Sequence, residues 1–382
     1  LTVAAALSVS LTGVSSASVA HRAMPAGKGN LSAAQVASLT SILTAAAKPS
    51  HFIAAGPAFN AKSAKGKVLF FVQDTASNNQ FSASFLSGVQ NAAAAAGLVF
   101  QTGNGNGSVS QTDAVMEQAV SQHVAVLLTS DILDSTIAPG LQAAKAAGIP
   151  VIESFIGDPH APTAQEKSFG IYADATYCYS CTGKLAADYE ILKKGGKFNS
   201  IVQQTPGSPP SDAAAKGWSE SVKTYCPKTC KITDDNFDLG TNYVQQFQSG
   251  DQVAAQNPAV NVMWDVYDFQ MGFALPILNA AGASNRIDLL SENADLAQMQ
   301  EMAQGTAVKV DVGNPVAWDG WAAVDEALRA IKGLPAVANE QVPVRLFDVE
   351  NVGSINLNLN PAAWYGAATY GLDYEKLWGL KK

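Results

Sequence analysis

Short, almost wholly apolar runs alternate with segments of helical periodicity, and this rhythm limits the chain to very few folds. From residue 67, "KVLFFVQ" leads into "FSASFLSGVQNAAAAAG", "LVFQTG" into "SQTDAVMEQAVSQ" and "VAVLLTS" into "DSTIAPGLQAAKAAG", before "IPVIES". Strands that lack apolar/polar alternation are buried on both faces, which calls for a parallel sheet covered by helices on each side. After the polar "GDPHAPTAQEK" the rhythm resumes: "SFGIYAD" precedes "CTGKLAADYEILKKGG", and "KFNSIVQQ", "CKITDDNF", "VNVMWDV" and "RIDLLSEN" each precede a helical segment. The expected fold class is α/β, with two Rossmann-like doubly wound parallel-sheet lobes. At 382 residues there is room for two such cores.

The flanks read differently. Residues 1–20 are small and apolar and turn polar after "SVA", which suits a truncated export signal and an exported, periplasmic or cell-surface protein. Residues 21–66 read as a short helix over "AAQVASLTSILTAAA" followed by a linker. The four cysteines form two close pairs, Cys178 with Cys181 and Cys226 with Cys230. Sequence alone leaves three connectivities open, and a four-thiolate zinc site is the alternative. The export-like start favours oxidation, with Cys226 and Cys230 joined to each other.

Several classes of function lack their chemistry. A net charge of -8 and the absence of any lysine or arginine run argue against nucleic acid as a partner. No "GxSxG" elbow, "GxxxxGK[ST]" phosphate loop or "HExxH" helix occurs, and the four histidines are scattered. The run "GNGNG" lacks the spacing of a dinucleotide fingerprint. No enzyme and no cofactor is expected.

Ligands of open parallel sheets bind beyond the carboxyl ends of the strands. In this chain those ends carry Asp74, Asn79, Phe81, Asp131, Phe155, Asp265, Tyr267, Asn293 and Asn314, a set of amides, acids and aromatics with no cation. Asn both donates to and accepts from hydroxyls, and aromatic faces cover the C–H side of a sugar or polyol. Asp131, Asp268 and Asp295 have a plainer expected role as helix N-caps, and Phe85, Trp218 and Trp264 are expected in the core.

"NNQFSASFLSGVQNAAAAAGL" followed by "HVAVLLTSDILDSTIAPGLQAAKAAGIPVI" resembles the amino-terminal lobe of the periplasmic sugar-binding proteins typified by ribose-binding protein, the receptors of ABC importers. "NPAVNVMWDVYDFQMGFALPILNAAG" and "NPVAWDGWAAVDEALRAIKG" resemble later segments of that family. The resemblance implies two lobes joined by three crossing strands, with residues 67–174 plus 315–340 forming the amino-terminal lobe and 175–314 plus 341–382 the other. It implies a ligand trapped between them by hinge closure. Asn79 matches the family's hydroxyl-binding polar residue and Phe81 its ring-packing aromatic. Tyr267, Asn293 and Asn314 fall on further contact positions. Phe155 and Ile156 replace a polar and a basic residue, and Ala214 stands where a sugar-contacting Arg is common. The expected function is therefore a monomeric solute-binding protein for a neutral sugar or polyol, partnered by an ABC transporter permease. A ligand-sensing receptor for a chemoreceptor or sensor kinase is the alternative, followed by an enzyme on the same scaffold. Repressors of the Lac type share the lobes but need a DNA-binding unit that the first 66 residues do not resemble.

Overall fold

The computed structural model describes residues 29–74, 79–238, 240, 242–366 and 369–381. The expected export segment, residues 1–20, lies outside them, as does Asn78. The first described helix, α1 (Ala33–Ala46), is closed at its start by a reciprocal capping box between Ser32 and Gln35. The first lobe then runs β1 (Val68–Gln73), α2 (Gln80–Ala96), β2 (Val99–Asn104), α3 (Val109–Ser121), β3 (Val126–Ser130), α4 (Ala138–Ala146), β4 (Val151–Ser154), α5 (Ala164–Phe169) and β5 (Ile171–Ala175). The second runs α6 (Tyr179–Lys193), β6 (Phe198–Gln204), α7 (Pro209–Tyr225), β7 (Cys230–Asn236), α8 (Tyr243–Gln256), β8 (Val262–Asp265), α9 (Asp268–Ala280), β9 (Asp288–Glu292), α10 (Leu296–Ala303) and β10 (Val308–Gly313). Finally come α11 (Val316–Lys332), β11 (Arg345–Asp348) and α12 (Tyr370–Leu377).

The sheets have the orders β2-β1-β3-β4-β5 and β11-β10-β9-β8-β6-β7. All pairings are parallel except β10 with β11. Apart from the added edge strand β11, both follow one doubly wound scheme, which puts a topological switch point between β1 and β3 and another between β6 and β8. The rhythm of the sequence sets "SFGIYAD" at the head of the second run, whereas the expected lobe bounds include it in 67–174; it is the last strand of the first sheet, where Ile152 pairs with Ala173 and Ser154 with Ala175. An apolar run identifies a strand, but its sheet is chosen by the register of its neighbour.

Helix α11 returns from the second sheet to pack on α2 and on β3 to β5. The approach is close: a Cβ on Gly88 would lie 2.1 Å from the Ala317 carbonyl oxygen, and one on Gly320 would lie 2.5 Å from the Val89 nitrogen. Expected core residues are in place, with Phe85 buried under α11 and Trp218 stacked on Trp264 at 5.1 Å in the second lobe.

The flanks do more than link. Helix α1 docks on α6 and β11 of the second lobe. The tail expected wholly in the carboxy-terminal lobe divides, because α12 packs on α2 and α11 of the first. Trp378 donates from Nε1 to Asp325 Oδ1 at 2.6 Å, and Arg329 donates from Nε to Asp325 Oδ2 at 2.6 Å, both inside the core. The segments that follow α1 and precede α12 run side by side where Ser50 bridges Gly366, with Ser50 N donating to the Tyr365 carbonyl at 2.5 Å. Two crossings thus join those from β5 to α6, from β10 to α11 and from α11 to β11. The cysteines form the disulfides Cys178–Cys181 and Cys226–Cys230, the second as expected.

Candidate functional site

A cavity of about 1010 Å³ opens between the lobes at the carboxyl ends of the strands around both switch points. From the first lobe Asp74 and Asn79 follow β1, Ser130 and Asp131 follow β3, and Phe155 follows β4. The second lobe contributes the Thr205–Pro210 loop after β6, Tyr267 and Asp268 after β8, and Asn293 and Asp295 after β9. Among the described residues that line it, none is Lys, Arg or His.

Its first-lobe wall is a ladder of rings. Phe71 meets Phe85 edge-on at 5.6 Å, Phe85 meets Phe155 at 4.9 Å, and Phe81 meets Phe155 at 4.8 Å. Phe155 continues to Tyr177 at 6.1 Å, and Tyr177 to Tyr179 at 4.1 Å. Phe81, at the start of α2, and Phe155 both line the cavity, the first half-buried and the second fully buried. Phe155 holds a left-handed backbone, with φ of 66°. For so large a side chain that conformation costs on the order of 1–3 kcal/mol, and the ring contacts hold it in place.

Asn79 is the N-cap of α2, where its Oδ1 accepts from Ser82 N at 2.8 Å. The cap turns this side chain into the mouth of the cavity, with the donor capacity of Nδ2 left to the ligand side. Asp131 does not cap a helix; it sits in a left-handed turn after β3 and accepts from the Ser130 hydroxyl at 2.9 Å. Asp268 is the first residue of α9, capped by Tyr267, and Asp295 occupies the N-cap position of α10.

Tyr267 is anchored from below. Its backbone N donates to Gln270 Oε1 at 2.8 Å, Gln270 Nε2 donates to Gln203 Oε1 at 3.1 Å, and Gln203 Nε2 donates to Asp251 Oδ1 at 3.0 Å. Asp265 belongs to this support and not to the wall. It is fully buried beside Asp251 and Asp235, and burial followed by those two charges pushes its carboxyl well up. The strand end explains the displacement: Asp265 is the last residue of β8, inside the sheet, whereas Tyr267 lies beyond it as the N-cap of α9. Asn314 is also off the cavity, where its Nδ2 donates to Asp319 Oδ2 at 2.8 Å; it borders a small void of about 20 Å³ shared with Gln80, Phe81, Asn293 and Tyr365.

The loop after β9 is held in an unusual shape, with φ of 105° at Asn293 and 55° at Ala294. Asp311 Oδ1 accepts from Ala294 N at 2.9 Å, and Asp268 Oδ2 accepts from Asp295 N at 2.6 Å. Burial, then the charge of Asp311, raises the Asp268 carboxyl; burial likewise pushes Asp311 up to about 7. Both carboxyls of this buried pair are held up, and the floor of the site is less negative than its count of acids suggests. Behind it Glu292 is raised by burial and accepts from the Thr182 hydroxyl.

Of the residues singled out from sequence, Asp74, Asn79, Phe81, Phe155, Tyr267 and Asn293 line one cavity, and Asp265 and Asn314 do not. Sequence reasoning missed Tyr177, Tyr179, the Thr205–Pro210 loop, Tyr243 and Phe269. "TPGSPP" directly after a strand is a turn signal that could have drawn attention to that loop. Tyr177 and Tyr179 lie on the crossing from β5 into α6, which only the assembled lobes bring to the cleft.

A family model described as a periplasmic binding protein domain matches residues 68–335. Solved structures of the same fold include a 5-methylthioribose transporter solute-binding protein from Thermotoga lettingae, in complex with 5-methylthioribose. It has a TM-score of 0.69 at 16% identity, over 83% of this chain and 98% of that one. An ABC transporter solute-binding protein from Agrobacterium vitis with bound allitol gives 0.67 at 19% identity, over 78% and 100%. One from Bacillus halodurans with bound myo-inositol gives 0.63 at 15%, over 76% and 97%. No curated protein matches the sequence.

Proposed function

This chain belongs to the periplasmic binding protein domain family, and from that premise we propose that it is the extracytoplasmic solute-binding protein of an ABC importer, capturing a neutral sugar or polyol between its lobes. The observation that carries the reading is a cavity lined by Asp and Asn side chains and aromatic rings, without a cation among its described lining residues. A carboxylate or phosphate enclosed there would lose its water without gaining an ion partner. Hydroxyls would pair with Asp74, Asn79, Asp131 and Asn293, and Phe81 and Tyr267 would cover the carbon skeleton. Asn314 and Asp265 would act from behind the wall, and Phe155 by seating Phe81. The monomer would deliver its ligand to a permease, and hinge closure would signal occupancy.

The absence of the family's usual basic contacts favours a polyol or a less polar sugar within the neutral class. The fold neighbours with bound allitol, myo-inositol and 5-methylthioribose are consistent with that preference. Thermal-shift and calorimetric titration with xylose, xylitol and xylonate tests it, because a ligand that binds only the folded state raises the melting temperature. The neutral pair should bind and the acid should not; tightest binding by xylonate overturns the reading.

A further inference from the structure

Resting on the reading of the cleft as a sugar or polyol site, we propose that its ligand carries an apolar alkyl or aryl substituent, received by a subsite formed by Tyr243, Phe269 and Leu133. The cavity is continuous but its two ends differ. Its inner end, at the strand termini, holds the carboxylates and amides described above. The most exposed large apolar residues of its lining are Tyr243 and Phe269 of the second lobe and Leu133 of the first, 39%, 44% and 39% exposed, which sets them on its solvent side. Single exposed apolar side chains are ordinary, but three in the lining of one cavity form a surface that water covers poorly.

The second-lobe half of this surface is prebuilt. Buried Phe247 carries Tyr243 edge-on at 5.6 Å and Phe269 at 5.5 Å, and Phe269 stacks on Tyr267 at 5.9 Å, so the platform joins the polar end without a gap. The neighbouring loop contains Pro206, Pro209 and Pro210, which have no amide hydrogen to donate. Besides the Ser208 and Tyr243 hydroxyls this wall offers few polar partners, so a ligand hydroxylated all round would leave some hydroxyls unpaired against it once the lobes closed, whereas an apolar group loses little there. The volume agrees, since about 1010 Å³ is at the top of the roughly 300–1,000 Å³ range of small-molecule pockets.

Calorimetry on the full chain with ribose, xylose, glucose and galactose, and with the methyl and phenyl glycosides of each, tests the proposal. At least one phenyl glycoside should bind about tenfold or more tightly than its free sugar. In Tyr243→Ser/Phe269→Ser that ratio should fall towards one, and Leu133→Ser, on the opposite wall, should lower it independently should the double variant fold poorly. A ratio near one in the wild type, or one that survives both variants, overturns this inference and leaves the sugar site standing. Binding of none of these sugars or glycosides, with xylitol also unbound, overturns both, whereas xylitol bound alone overturns only this inference. A dimer that dissociates in the double variant with the ratio unchanged assigns the patch to self-association and also overturns it.

Discussion

Gln80 of the first lobe caps a helix of the second: its Oε1 accepts from Leu296 N, the first residue of α10, at 3.0 Å. Asp295 stands in the N-cap position of α10 without a side-chain cap bond, so the partner for this orphan N–H comes from across the cleft. The bond exists only while the lobes are together on this side. Gln80→Ala should weaken the joined arrangement by about 0.5–1.5 kcal/mol, roughly a two- to tenfold shift in population. Small-angle scattering without ligand should give a larger radius of gyration for the variant, with weaker ligand affinity. Equal radii and affinities would make the contact incidental.

Asn79 carries two duties that substitutions separate. Asn79→Ala removes the N-cap of α2 and should cost about 1 kcal/mol of stability. Asn79→Asp keeps an accepting oxygen and should retain most of that stability. Both lose the amide donor, so both should bind ligand more weakly, as should Phe81→Ala with little loss of stability. Phe85→Ala, deep in the core, should instead lose about 3–5 kcal/mol of stability. Denaturation and calorimetry on the four variants decide, and full affinity in Asn79→Asp and Phe81→Ala would remove both from the site.

Stability should fall as pH rises. Burial pushes Asp251 and Asp311 up to about 7, and Glu190 and Glu326 up to about 8, and all four are inaccessible to water. Each binds a proton more tightly in the folded than in the unfolded chain, so its contribution is fully present below about pH 4 and is lost as pH passes through the folded value. The raised His160 beside Glu166 acts in the same sense at higher pH, while the lowered Glu166 opposes it in acid. Melting temperature should be higher at pH 5 than at pH 8, by roughly 2 kcal/mol or more in free energy. Asp251→Asn should flatten the slope. A melting temperature that rises over this range contradicts the expectation.

Arg329 and Asp325 form a buried pair that also receives Trp378. Arg329→Met strands the Asp325 charge and should destabilise by about 3–5 kcal/mol. Replacing both, as in Arg329→Met/Asp325→Leu, removes the stranded charge and should recover much of the loss. Chemical denaturation of single and double variants measures it; a double variant no better than the single one would show that geometry, not charge, is what the pair supplies.

The alternation of strand and helix was legible because strands buried on both faces leave continuous apolar runs such as "VLFFV", in which every residue but Val68 is buried. Which sheet claims a strand was not, as β5 shows, because pairing depends on residues distant in sequence. Helix α12 went unread for a similar reason: "YGLDYEKL" buries only Tyr374 and Leu377, and its partners are helices reached through the whole fold. At the site, residues that directly follow first-lobe strands were placed well, since strand ends point to the cleft. Asp265 lies off the cavity because it closes β8 within the sheet, and only residues beyond that strand end reach the wall. Phe269 and Tyr243 lie at helix starts, where sequence gives no direction.

The covering of the first sheet sets an order of synthesis. The strands of residues 68–175 are made early, yet α2, besides resting on its own sheet, packs on α11 and α12, the latter ending at Leu377. Until those helices exist, the side of α2 that carries Gly88 and Val89 against α11 has no cover. The lobe that emerges first is therefore the last to finish, because α12 is made after every strand of both sheets and after Trp364 and Tyr365 of the second core, so a nascent or carboxy-terminally clipped chain leaves the first lobe incomplete.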